Sequence, residues 1–285
     1  MNSLREFLRD IKVEHTVFAL PFAYMTLFLV SRGWPRLSTF AWITVAMVAG
    51  RTFGMAANRV IDAQIDARNP RTAARAVAAG RLRARAVVGY MGISFAVFLV
   101  AVWNLHPICR RLWPIVIVTM VVYPYAKRFT PLAHFFLGAV YLMIPTAIWL
   151  AVIGRLPGAA LALGTGAALW VVGFDVIYAC QDVDVDRRDG LHSIPADYGI
   201  SVALSVARVA HGGFLLSMAW AAHALDGGYL FWSALAATAL LLLWEHRLVR
   251  PGDLSRVNAA FFQTNGVVSM VLFVLVAADA VLRWR

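Results

Sequence analysis

Residues 158–190 read GAALALGTGAALWVVGFDVIYACQDVDVDRRDG. Up to about residue 181 the run is apolar and interrupted by a single charge, Asp175. A membrane helix needs about 20 mostly apolar residues, so this stretch is long enough to cross a bilayer. The chain then changes character at once, with Asp182, Asp184, Asp186, Arg187, Arg188 and Asp189. An apolar run that ends in a cluster of carboxylates sets both the fold class and the place to look for chemistry.

Comparable apolar runs fall at about 13–31, 37–58, 86–104, 112–126, 132–153, 203–224, 228–246 and 262–282. With 158–181 they predict nine transmembrane helices joined by short loops. The composition agrees: 61% of the 285 residues are hydrophobic, 14% are charged, and mean hydropathy is +0.71. A soluble domain holds roughly 45–50% apolar residues, so an ordinary cytosolic globule is excluded. The expectation is an all-α integral membrane protein, with residues 1–285 forming a single membrane-embedded domain. The first run has Glu14 and His15 at its start and no small-x-small cleavage site after it. It reads as a retained helix rather than a signal peptide.

The net charge of +11 and pI near 10.5 raise the possibility of a nucleic-acid partner. Nucleic-acid binders display their basic residues on a water-soluble face. Here they lie between apolar runs, so anionic lipid headgroups or an acidic substrate are the expected partners and nucleic acid is not. Cytoplasmic loops of membrane proteins carry the excess of Lys and Arg. Placing the N-terminus inside puts Arg5, Arg9, Lys12, Lys127, Arg128, Arg187, Arg188 and the seven arginines of the 59–85 loop on that side. Arg32, Arg36, Arg110, Arg111, Arg155 and the C-terminal arginines remain outside. The expected location is the inner (plasma) membrane, multi-pass, with the active site facing the cytoplasm. Cys109 and Cys180 are too far apart for a disulfide framework and too few for a cysteine-only zinc site.

Eight of the 15 acidic residues fall in two windows: Asp62 and Asp66, then Asp175, Asp182, Asp184, Asp186, Asp189 and Asp197. Asn58, Asp62 and Asp66 recur at i, i+4 and i+8, which drifts only ~40° per step on an α-helix. They are expected to share one face of the second helix or its extension. Tyr178, Asp182 and Asp186 repeat the spacing at the end of the sixth. Two carboxylates one turn apart repel each other. A hard divalent cation relieves that repulsion, and Mg²⁺ characteristically takes one or two carboxylates plus substrate phosphates. A single Asp-x-x-x-Asp would be read as a solvated helix end paired with nearby arginines; two, each followed by a basic loop, favour a metal site. The ladders recur after about 120 residues with four helices per period. That suggests a parallel internal repeat, which would bring both ladders to one mouth of a shared bundle.

Arg71 and Arg75 follow the first ladder, Lys127-Arg128 ends the fourth helix on the same side, and Arg187-Arg188 follow the second ladder. Arginine grips phosphate through bidentate hydrogen bonds and lysine offers a point charge. Metal-binding acids beside phosphate-binding bases suggest a diphosphate, and the apolar bundle beneath would suit a lipid tail.

These motifs resemble the UbiA superfamily of membrane aromatic prenyltransferases. The first signature reads Arg51-x6-Asn58-x3-Asp62-x3-Asp66-x4-Arg71-Thr72-x2-Arg75-x4-Gly80, and the second Tyr178-Ala179-Cys180-Gln181-Asp182-x3-Asp186-x3-Gly190-Leu191-x-Ser193. Tyr123-Pro124-x2-Lys127-Arg128-x-Thr130 lies between them, and the resemblance covers about residues 10–270. It implies a nine-helix bundle with a cytoplasmic polar cap and Mg²⁺-dependent transfer of a polyprenyl group from its diphosphate to an aromatic acceptor. By position it implies that Asn58, Asp62, Asp66, Asp182 and Asp186 hold metal. Asn58, Arg71, Arg75, Lys127 and Arg128 would bind diphosphate. Arg51 would pair with the acceptor's carboxylate, and Tyr123 and Tyr178 would lie near the acceptor and the allylic cation.

One departure stands out. The family usually has Asn-Asp-x-x-Asp, whereas Arg59 follows Asn58 here. Either the site needs fewer acidic ligands or Arg59 turns away, since i+1 lies ~100° round a helix. Asn58-Arg59-x-x-Asp62 with Asn69-Pro70-Arg71-Thr72 resembles the 4-hydroxybenzoate polyprenyltransferase branch, some of whose members prenylate a dihydroxynaphthoate for menaquinone rather than a benzoate for ubiquinone. The motifs leave the acceptor, and the base that removes its ring proton, open; an aspartate of the second ladder is one choice. Intramembrane charge and repeats also mark secondary transporters, and the same chemistry could serve a haem or chlorophyll precursor. The seven histidines show no His-x-x-x-His or His-Glu-x-x-His spacing and read as polar or interfacial placements.

Overall fold

The computed structural model describes residues 3–11 and 16–284. The first turn of the first expected span (13–15), Lys12 and Arg285 lie outside the described residues. The described chain is helical throughout and forms no β-strand. A short helix α1 (Ser3–Asp10) precedes α2 (Thr16–Ser31) and α3 (Leu37–Ile61). The short α4 (Ala63–Arg68) and a run of turns lead to α5 (Ala84–Trp103), α6 (Cys109–Ala126), α7 (Ala133–Ile153) and α8 (Gly158–Ala179). Two more short helices, α9 (Val183–Asp189) and α10 (Ile194–Tyr198), come before α11 (Ile200–Ala224) and α12 (Tyr229–Leu248). A π-helical turn, Ala259–Thr264, opens α13 (Asn265–Arg283).

Each of the nine apolar runs coincides with one of the long helices. Six of these are long and apolar enough to cross a membrane among the described residues: α3, α5, α7, α8, α11 and the π-turn with α13. The chain is a multi-pass membrane protein.

Helix α8 is the centre of the bundle, packed between α7 and α11. Its small residues permit this. A Cβ on Gly164 would lie 2.8 Å from the carbonyl oxygen of Leu142 on α7, so only glycine allows the two backbones that close. Close approach at small residues is the usual basis of helix packing in lipid, where burial of apolar surface gives no advantage between helices. Trp170 of α8 is fully buried against Phe22, Phe174 and Phe214, and its indole N–H donates to Asn265 Oδ1 at 2.8 Å.

The short elements form a polar layer. Arg188 Nη2 donates to the Arg68 carbonyl (2.9 Å), and the His192 N–H donates to the Lys127 carbonyl (2.7 Å). These bonds tie the segment after α8 to the segments after α4 and α6. Ser193 N-caps α10, and Gly190 ends α9 at φ +67°, a conformation that favours glycine. Helix α1 docks on the same layer through Arg59, Ala76 and Arg81.

Candidate active site

Neither aspartate ladder lies on one unbroken helix. Helix α3 ends at Ile61, and Asp62 (φ −95°, ψ 4°) marks the break before α4. Helix α8 ends at Ala179, and Asp182 (φ −104°, ψ 4°) marks the break before α9. The i−4 hydrogen bond survives across both: Asp66 N–H to Asp62 O and Asp186 N–H to Asp182 O are each 2.8 Å. The ladder spacing therefore persists through the change of direction, and each second aspartate remains on the cavity side.

Both ladders line one cavity of about 980 Å³, whose wall includes Asn58, Asp62, Asp66, Asp182 and Asp186 together with Arg71, Arg75, Lys127, Tyr123 and Tyr178. Asp62 is buried and accepts from Asn58 Nδ2 (3.0 Å) and Lys127 Nζ (2.7 Å), with Arg128 Nη2 at 3.4 Å. Arg128 stands behind this wall, donating to the Ile61 carbonyl and stacking on Tyr125. Arg75 Nη1 lies 2.7 Å from both Asp66 oxygens. Asp182 accepts from Arg71 Nε (2.9 Å) and Asn69 Nδ2 (2.8 Å), so the first ladder's loop clamps the second ladder. Arg71 also donates to the Tyr178 hydroxyl (2.9 Å).

Asp186 differs from the other three. Among the described residues its side-chain hydrogen-bond partner is the Ser193 hydroxyl, 2.9 Å from Oδ2. Burial pushes its carboxyl up to about 6, and nearby Asp182 adds to the rise, while Ser193 and Lys127 pull the other way.

Arg59 stays on the cavity wall beside the ladder, its Nη1 donating to Asn58 Oδ1 (3.3 Å), while the rest of its guanidinium reaches back to α1. Its Nε and Nη2 donate to the Asp10 carbonyl (3.2 and 3.0 Å) and Nε lies 3.4 Å from the Asp10 carboxylate, both side chains being buried. Asp10 Oδ1 also accepts the Ala76 N–H (2.6 Å), and Glu6 pairs with Arg81 (2.8 Å). The residue that replaces a family carboxylate thus holds α1 against the cavity rim.

The donor set fits Mg²⁺: four carboxylates on the wall of one cavity, with the Asn58 amide beside them, its Oδ1 accepting from Arg59 Nη1 (3.3 Å). Among the described residues no three His, Cys, Asp or Glu side chains form a metal site by themselves. Three of the carboxylates are already engaged by Lys127, Arg75 and Arg71. This suits an ion that takes few protein ligands and completes its shell with phosphate and water.

Beneath the polar cavity lies an apolar one of about 240 Å³ between α3, α5, α6 and α7, lined by residues from Ile43 and Leu105 to Trp113 and Ile148. Arg51 and Tyr141 also line it, so Arg51 belongs to the apolar chamber rather than to the ladders. Met55, Tyr123 and Leu137 border both cavities and mark their junction.

Some cavity residues escaped the sequence reading. Asn69 and Ser193 lie within the quoted motifs but had no role assigned. Phe261 and Phe262 enter the wall together because the π-turn offsets the helix register, with Phe261 centred 4.1 Å from the Tyr178 ring. His134, read as scattered, pairs with Asp175 across α7 and α8: Nδ1 is 2.7 Å from Oδ2, and both line the polar cavity. Only the intramembrane position of Asp175 hinted at it.

The architecture recurs in known proteins. A model of the UbiA prenyltransferase family matches residues 19–267. A 4-hydroxybenzoate octaprenyltransferase from Neisseria meningitidis serogroup B is 27% identical over 262 residues, covering 90% of this chain and 86% of the relative. The solved structure of a UbiA homolog from Aeropyrum pernix K1 superposes with a TM-score of 0.84 at 30% identity, covering 94% of this chain and 98% of that one. A UbiA homolog from Archaeoglobus fulgidus bound to DMAPP and Mg²⁺ shares the fold, with a TM-score of 0.76 at 15% identity over 97% and 99% of the two chains. The family match runs through both ladders and the helices that carry them, and this chain belongs to the UbiA prenyltransferase family.

Proposed function

We propose that this enzyme transfers a polyprenyl group from polyprenyl diphosphate to a ring carbon of a hydroxylated aromatic acid, 4-hydroxybenzoate or a dihydroxynaphthoate, in quinone biosynthesis. One observation carries the reading: a cavity lined by two carboxylate ladders and by basic side chains, Arg71, Arg75 and Lys127 among them, meets an apolar chamber that contains an arginine. A diphosphate belongs in the first and a hydrocarbon tail in the second. The name of the Neisseria relative and the DMAPP and Mg²⁺ held by the Archaeoglobus homolog support the same assignment.

In this reading Arg71, Arg75 and Lys127 donate to the diphosphate oxygens, and Asn58, Asp62, Asp66, Asp182 and Asp186 offer oxygen to Mg²⁺. When bound, the ion stabilises charge building on the departing diphosphate. The allylic carbon then lies at the junction, where Met55, Tyr123 and Leu137 keep water from it. Tyr123, the aromatic residue that borders both cavities, favours positive charge at that carbon through its ring. The ring carbon ortho to the acceptor's hydroxyl attacks it. Arg51 meets the acceptor's carboxylate. Nine helices would span the inner membrane as one domain built on a parallel repeat, with the N-terminus and polar layer in the cytoplasm as the distribution of arginines directs.

Prenyl transfer by purified protein in detergent, with geranyl diphosphate and each acceptor, tests the proposal. Product is expected with Mg²⁺ and none with EDTA; absence of product from both acceptors with Mg²⁺ present overturns it. Arg51→Ala is expected to cost about 10- to 100-fold, a typical loss for a charged hydrogen bond, with carboxylated acceptors and far less with their decarboxylated analogues. Equal losses on both reject the pairing.

A further inference from the structure

Site residues so far hold charge; none yet accounts for the proton that the aromatic ring must release. His134, in the first turn of α7, is 5% exposed, and its Nδ1 lies 2.7 Å from Asp175 Oδ2 on α8. A carboxylate accepts hydrogen bonds, so Nδ1 carries a proton, and in the neutral form of the ring the lone pair is at Nε2. That Nε2 is buried and has no hydrogen-bond partner among the described residues. A tie between α7 and α8 needs only the Nδ1–H. Burying an unsatisfied polar atom costs about 1–3 kcal/mol, a cost that a hydrogen-bonding ligand in the cavity would relieve. The orphaned lone pair calls for a ligand.

Its position narrows the ligand. His134 lines the polar cavity, and Leu137, three residues on and on the same helix face, borders both cavities. His134 therefore stands about one helical turn (~5 Å) from the junction. An allylic diphosphate with its charge in the polar cavity and its tail in the apolar one leaves its first carbon, and the ring that attacks it, at that level.

We propose that His134 is the catalytic base that removes the ring proton, with Asp175 as its positioning residue; this rests on the transferase reading above. The C–O bond to the allylic carbon breaks and its electron pair leaves with the diphosphate. A ring π pair forms the new C–C bond. The C–H pair at the attacked carbon returns to the ring and restores aromaticity, and the proton passes to His134 Nε2. Asp175 stabilises the resulting imidazolium, which then releases its proton to water in the polar cavity.

Transfer to 4-hydroxybenzoate and to its 3,5-dideuterated form, compared in wild type, His134→Gln, His134→Ala and Asp175→Asn, tests this. A wild-type isotope effect near unity is expected, with proton loss fast. General-base removal should lower kcat by about 10²–10⁴ in His134→Gln with KM for both substrates changed less than about threefold. A primary isotope effect should appear, and added imidazole should partly rescue His134→Ala. Asp175→Asn should show a smaller loss and the same emergent isotope effect. The inference is overturned if folded His134→Gln keeps wild-type kcat. It also fails if the variants lose activity with no isotope effect and no rescue, which would leave the pair as a helix tie alone. If wild type transfers to neither acceptor, the transferase reading itself fails, a result distinct from both.

Discussion

The two aspartate segments, Asn58–Asp66 and Tyr178–Asp186, share spacing, an almost identical backbone break and a common cavity, yet differ in how their charge is balanced. In the first, Asp62 and Asp66 are both buried and both held by bases, Lys127 with Arg128 and Arg75. In the second, Asp182 is held by Arg71 and Asn69, from the loop that follows the first segment, while among the described residues Asp186 accepts a side-chain hydrogen bond from a hydroxyl alone. The first segment is therefore close to electrically closed, and the second depends on its partner and keeps one carboxylate without a cation. Equal motifs thus have unequal surroundings: the first is held by basic side chains, and under the proposed function the second would keep an oxygen for a metal–phosphate ligand.

This comparison can be broken most sharply at its leading residues. Asp62→Ala and Asp182→Ala should each lower prenyl transfer by at least about 10²-fold, the usual cost of losing a preorganised charge contact. Folded enzyme of either kind with full activity would remove that ladder from the chemistry. At the second positions the ladders should separate. Asp186→Asn should raise the Mg²⁺ concentration for half-maximal activity by about 10- to 100-fold, whereas Asp66→Asn should shift it less and lower thermal stability instead, because Arg75 loses its partner. Equal Mg²⁺ shifts would erase the distinction. The smallest effect is expected at Ser193→Ala: about 1 kcal/mol of stability from the lost helix cap, read from Tm, and a several-fold Mg²⁺ shift from the freed Asp186.

The apolar runs were legible because the bilayer demands length and hydropathy: among the described residues a long helix meets each of them, and six of these helices are long and apolar enough to cross a membrane. The ladder residues were legible because carboxylates near a membrane core are costly and stand out. Two features resisted. The break at Asp62 and at Asp182 has no local signal, since no Gly or Pro occupies either position; tertiary bonds across the polar layer hold it. The pairing of His134 with Asp175 joins residues on neighbouring helices, and a one-dimensional spacing test cannot detect such a pair. Arg59 lies between these cases: the sequence posed the question of its direction, and the structure has it bridging Asp10 of α1 and Asn58 of the ladder.

The Arg59–Asp10 contact has a practical consequence for handling the protein. Glu6, Arg9 and Asp10 form part of the polar cavity's wall, so a purification tag fused ahead of α1 would hang beside that cavity. The far end of α13 is fastened elsewhere, with Arg283 gripping Asp279 and the carbonyls of the α11–α12 turn. Handles, fluorophores and surface tethers belong there.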